Sequence, residues 1–241
     1  MWLERLRSGD EMTDELKVEE ILRESFNFIV RKPVIIVPML IVLLLNTALD
    51  LFLPSFVDLP DQIKSIEDIM PVLPSFLSYL VISSFLLLIT YAVANGVYPL
   101  IVKNIIESKE VELNNTLRRV LNKAPTLIGV AIIITFIFSA GLLFFIIPGV
   151  IFAIWYFYTV PAIMLENKGV FDGMRASKEF ARDKKYKTFL LLLIPLSLLS
   201  LSGAVAAVFE TLSLILDSII FTWISIMPAY VYIKYNTIEQ N

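Results

Sequence analysis

A chain of 241 residues in which 57% are hydrophobic and 18% charged departs from soluble proteins, which run at about 45–50% apolar and about 25% charged. With no Cys and no His it offers no disulfide, no thiolate metal site and no imidazole base, and a net charge of −3 argues against nucleic acid as a partner. What remains is an integral membrane protein, expected to be an all-α polytopic bundle.

Residues 1–32 form a charged N-terminal segment, so no cleavable signal peptide is expected. Within it Val18, Ile21, Leu22, Ser25, Phe28 and Ile29 recur at helical spacing, an amphipathic stripe suited to the membrane interface or to packing under a bundle. Residues 33–241 read as the membrane domain. A crossing needs roughly 20 apolar residues for about 30 Å of hydrocarbon. The first span, 33–57, carries Asn46 and Asp50; Asp50 stands 17 residues past Pro33, about 25 Å along a helix, near the outer boundary. In the outer loop that follows, Ile63, Ile66, Ile69 and Met70 point to a small interfacial helix.

The second span, 72–102, holds Tyr91, Asn95 and Tyr98 among Gly96 and Pro99. Pro99 removes the hydrogen bond to the Asn95 carbonyl and Gly96 weakens the same turn, so a kink could open a polar pocket including Asn46. The plainer expectation is an interhelical hydrogen bond, with Ala92 and Gly96 as a close helix contact. A second amphipathic stretch follows at Leu113, Leu117, Val120 and Leu121.

Residues 126–165 are one uncharged run of 40 residues, about 60 Å as helix and therefore two crossings, 126–147 and 150–165. Pro148 and Gly149 near its middle predict a tight hairpin turn. Trp155, Tyr156, Phe157 and Tyr158 point all round a helix, so lipid-facing and packing roles explain most of them. Glu166 ends the run and is expected to pair with Lys168 or Arg175, with Gly169 easing the turn. A third amphipathic stretch, Val170, Met174, Ser177 and Ala181, leads to the fifth and sixth spans, 189–209 and 212–233. Gly203 and Ala207 read as close packing, and Asp217 lies near the outer start of the sixth span.

Orientation follows Lys and Arg. Of 20, all but Lys64 fall in the N-terminal segment, the loops after spans two and four, or the tail. Both termini are therefore expected on the cytoplasmic side of a cell membrane, with anionic headgroups as partners there, worth about 1 kcal/mol per well-placed cation. Three amphipathic helices each leading into a pair of spans make a threefold plan. It is either true repetition about an axis along the membrane normal or the ordinary flanking of hairpins by basic helices. Asp50 and Asp217, if facing one another, would form a carboxylate pair able to hold a proton or cation; their depth favours a hydrated interfacial position instead.

The stretch Pro148-Gly149, Pro161, Glu166, Gly169 and Met174-Arg175-Ala176-Ser177, followed by a basic helix, resembles a six-span family of mostly uncharacterised prokaryotic membrane proteins. It is similar to the membrane domain of some glycerophosphodiester phosphodiesterases and to YciC-like proteins. Pro148, Gly149, Pro161, Glu166, Gly169 and Ser177 match that pattern. The resemblance implies a six-span architecture; the phosphodiesterase activity is not carried over, since the sequence in hand holds no soluble catalytic domain and no His. No catalytic motif, metal-ligand cluster or nucleotide loop is present, and no cofactor is expected. Three readings remain open: a non-enzymatic lipid-interacting scaffold or regulator, alone or with copies of itself or other membrane subunits; a small-solute or lipid transporter using the pocket at Asn46, Tyr91, Asn95 and Tyr98; and an intramembrane enzyme using Asp50 and Asp217. The first is the leading one.

Overall fold

The computed structural model describes residues 16–56, 69–110, 112–144, 146–206 and 208–236, all of whose regular structure is helical. Helix α1 (Val18–Arg31) is followed by a 3-10 turn (Pro33–Ile36) and α2 (Val37–Phe56). Then come α3 (Leu73–Ile106), α4 (Leu113–Phe144), α5 (Ile146–Tyr156) and α6 (Thr159–Glu166). α7 (Val170–Ala181), α8 (Lys185–Ala206) and α9 (Glu210–Asn236) complete the chain. Five segments are long and apolar enough to cross a membrane: α3, α4, α5 with α6, α8 and α9. A sixth is reached by counting α1 with the start of α2, which meet at a bend of 102°. That bend has a local cause. Pro33 disfavours helical geometry at the residue before it, and Lys32 accordingly takes φ −136°, ψ 74°.

Helix α9 is the axis of the bundle and packs against α1, α2, α3, α6 and α8. Its Ile226, Met227, Ala229, Tyr230 and Val231 are fully buried. The apolar side chains of the peripheral helices point outward instead: Val81, Phe136, Leu143 and Leu201 are each more than 60% exposed. A helix that is apolar all round and exposed on one side is a helix built for lipid. α1 lies against α9 with Ile21, Ser25, Phe28 and Ile29 buried, so the first amphipathic stripe packs under the bundle.

The structure departs from expectation at three places. Pro148 and Gly149, expected to form the hairpin turn, lie in the first turn of α5, which begins at Ile146. A first-turn proline loses no hydrogen bond, because its missing N–H has no intrahelical partner there. Gly149 is instead used for contact: a methyl group on Gly141 would lie 2.9 Å from Gly149 Cα, so the two helices touch backbone to backbone. The second amphipathic stretch is not a separate helix but the start of α4, which runs on through Pro125; Val120 is buried while Leu117 and Leu121 are about half exposed. A methyl on Gly203 would meet nothing within 4 Å, so Gly203 is not a packing contact. Most of the expected outer interfacial helix, with Ile63 and Ile66, lies outside the described residues.

Candidate functional site

The fourth span is interrupted between α5 and α6, and the sequence contains the reason. Pro161 has no N–H for the carbonyl of Phe157, and its ring crowds that carbonyl, which weakens the helix at this turn. The backbone groups freed at the break are taken up by side chains. Fully buried Ser177, on α7, donates from Oγ to the Trp155 carbonyl at 2.7 Å and accepts the Tyr158 N–H at 3.0 Å. Thr159 donates to the Tyr156 carbonyl at 2.8 Å. The Tyr158 hydroxyl shares a hydrogen bond with Thr188 of α8 at 2.9 Å, and its ring meets Phe180 edge-on at 4.8 Å. α7 docks here because Gly173 lets it approach: a methyl there would lie 2.5 Å from Ile163 Cγ1. Ser177 and Pro161 thus act as one device, a break and its repair.

Glu166 closes α6 and serves as a hub. It pairs with Lys168 at 2.5 Å, as expected, but its other partners come from α9: Tyr232 donates to it, and so does Asn236 at 2.8 Å. Arg175 is engaged by Asp172 at 3.7 Å, not by Glu166. The carboxylate therefore ties the fourth span to the last helix, and no spacing within residues 166–178 predicts that. Asn167 takes the left-handed φ of 58° at the end of α6, and Gly169 is extended as the cap of α7. Lys123 of α4 donates to the carbonyls of Asn167 and Lys168 at 3.1 and 3.4 Å, a cation at a helix C-terminus where the dipole favours it. At the same end Lys234 of α9 donates to Glu20 of α1 at 2.6 Å, and this holds the Glu20 carboxyl below its usual range. Trp223 Nε1 donates to Ser25 at 2.8 Å and Phe26 meets its ring, which fixes α1 along α9.

Three of the four residues expected to line a polar pocket share one stretch of α3. Tyr91, Asn95 and Tyr98 line α3 where it faces α9, and the Tyr98 hydroxyl shares a 3.3 Å hydrogen bond with Thr222. The Tyr91 ring packs edge-on against Phe221 at 6.0 Å, and Ser225 donates to the Phe221 carbonyl at 2.8 Å. Asn95 donates its amide to the Tyr91 carbonyl one turn back, at 3.2 Å. These groups form a seam of satisfied polar atoms between two helices, and Asn46, half-buried on α2, stands apart from its hydrogen bonds. Gly96 faces the opposite neighbour, α4, where a methyl would lie 2.5 Å from Leu127 Cδ1. Thr222 and Ser225, spaced by three on α9, are the partners that sequence reasoning missed.

Asp217 is half-buried on α9, and the side chain of Asp50, its expected partner, lies outside the described residues. No three carboxylates converge as a metal site among the described residues. Two open clefts are found at the basic end. One, of about 390 Å³, lies between Phe28, Arg31 and Lys32 on one side and Ile105 and Lys109 on the other. The second, of about 360 Å³, is lined by Trp155, Arg175, Lys178, Glu179, Arg182 and Lys185. Compared with known protein families, with curated proteins and with solved structures, the chain matches none.

Proposed function

We propose that this protein is a multi-pass protein of the cell membrane, both termini cytoplasmic, that acts as a lipid-contacting scaffold or regulator and not as an enzyme. The observation that carries this reading is the construction of the basic end. Two amphipathic helices, α1 and α7, are fastened under the spans by buried bonds at Ser25 and Ser177, and the cations around them are left facing outward. A platform of that kind suits a layer of anionic headgroups. The architecture is also in keeping with the six-span family that residues 148–177 resemble, and the serines of α1 and α7 each stand seven residues into their helix.

Single cysteines test the orientation in intact cells. One at exposed Leu212 should react with an impermeant maleimide from outside, and one at exposed Asn114 only after permeabilisation; the reverse pattern overturns the topology. Reconstitution tests the lipid reading: thermal stability should be higher in vesicles containing phosphatidylglycerol than in phosphatidylcholine alone. The transporter reading draws support from the α3–α9 seam. It predicts that Asn95→Leu or Thr222→Val abolishes uptake of a solute, whereas a scaffold seam predicts only lower stability.

A further inference from the structure

We infer that the cleft between α5, α7 and the start of α8 is a headgroup site for an anionic phospholipid, with the lipid tails lying in the crease between α5 and α8. The inference rests on the proposal that this end of the bundle meets the headgroup layer.

Arg175 and Lys178 on α7, Arg182 at its C-cap and Lys185 at the start of α8 line the cleft together. Four cations face one carboxylate, Glu179, in the cleft. The acidic neighbours they do have are loose: Arg175–Asp172 at 3.7 Å and Arg182–Asp183 at 3.8 Å, with all four side chains mostly exposed. Like charges gathered this closely repel one another, and an anion relieves the repulsion. The α8 helix begins at Lys185, so its positive dipole end opens on the same place.

The floor of the cleft is rigid. Trp155 is held through its carbonyl by buried Ser177 at 2.7 Å, and its ring is fixed by Phe152 edge-on at 5.7 Å and by Lys178 above it at 4.2 Å. An indole beside cations, one residue from the end of α5, suits a membrane interface. The cleft volume of about 360 Å³ falls within the range of small-ligand sites, about 300–1,000 Å³.

Membrane-ward of the cleft the surface turns apolar. Ile151 lies one helical turn beyond Trp155 on α5, and Leu193 lies two turns beyond Lys185 on the neighbouring α8; they are 38% and 44% exposed. Phosphate-binding cations continuous with an exposed apolar crease distinguish a phospholipid from a free anion.

The test is native mass spectrometry of the full-length protein in detergent doped with phosphatidic acid, phosphatidylcholine or water-soluble glycerol phosphate. Phosphatidic acid should be retained over phosphatidylcholine. Arg175→Gln with Arg182→Gln, both exposed and so harmless to folding, should weaken retention by roughly 30-fold, the effect of losing two cation–headgroup contacts. Arg118→Gln with Arg119→Gln, an equal charge loss on α4, should leave it nearly unchanged. Equal losses in the two variants would overturn the site while leaving a diffuse anionic-lipid preference intact. Absence of any preference in the parent would overturn the lipid reading itself. Competition by glycerol phosphate as strong as by phosphatidic acid would overturn the assignment to a lipid.

Discussion

Ser177→Ala removes one oxygen from the interior and tests the repaired break directly. The hydroxyl donates to the Trp155 carbonyl and accepts the Tyr158 N–H, and both backbone groups lie where the helix is interrupted. An unsatisfied buried group costs about 1–3 kcal/mol, while hydrogen bonds between membrane helices average about 0.6 and reach about 1.7 kcal/mol. Two groups lose their partner together, and Pro161 prevents the helix from closing over them, so a loss of about 2–3 kcal/mol is expected. For a chain of this size that corresponds to roughly 5–10 °C in the unfolding temperature. The natural control is Ser197→Ala on α8, where the hydroxyl bonds only to the Leu193 carbonyl of its own helix at 2.9 Å on an exposed face. That change should stay within about 0.5 kcal/mol. Detergent thermal melts followed by tryptophan fluorescence would report both, since Trp155 borders the break. If Ser177→Ala melts with Ser197→Ala, the break is satisfied by something other than Ser177 and the argument fails.

Further outcomes follow from the same contacts. Glu166→Gln should lower the melting temperature and Glu166→Ala should lower it further, because glutamine keeps an acceptor for Tyr232 and Asn236 but loses the charge facing Lys168; equal melts would remove the hub. Gly141→Ala should destabilise the α4–α5 hairpin by about 1–3 kcal/mol, since the new methyl meets backbone that cannot move aside, whereas Gly203→Ala should be neutral or stabilising. The Glu20–Lys234 pair gives a pH dependence whose sign is fixed. Glu20 titrates lower in the folded protein because Lys234 donates to its carboxylate, so its contribution is present above the ordinary value of 4.5 and is lost as pH falls through the lowered one. The pair is partly exposed, so the effect is small; Glu20→Gln should flatten that part of a melting-temperature-against-pH curve, and an unchanged curve would show that the pair contributes nothing.

Length, hydropathy and charge are properties of consecutive residues, and they determined what consecutive residues can. The uncharged runs marked the spans to within a few positions, as in 72–102 against Leu73–Ile106. The amphipathic stripes of α1 and α7 named their buried faces in advance, with Ser25 and Ser177 among them, because helical spacing puts such residues on one side whatever they later touch. Arg175, Lys178, Arg182 and Lys185 are near one another in sequence, but only the fold gathers them around Trp155. Tertiary structure decided the rest. Gly141 meets Gly149 backbone to backbone, a contact set by two residues on opposing helices. Glu166 finds Tyr232 and Asn236 some 66 and 70 positions away, and Ser25 finds Trp223 across 198. Each hydroxyl or carboxylate had several suitable partners nearby in sequence. Which one it took depended on which helix packing brought alongside, and that is settled by the fit of whole surfaces, to which no local window gives access.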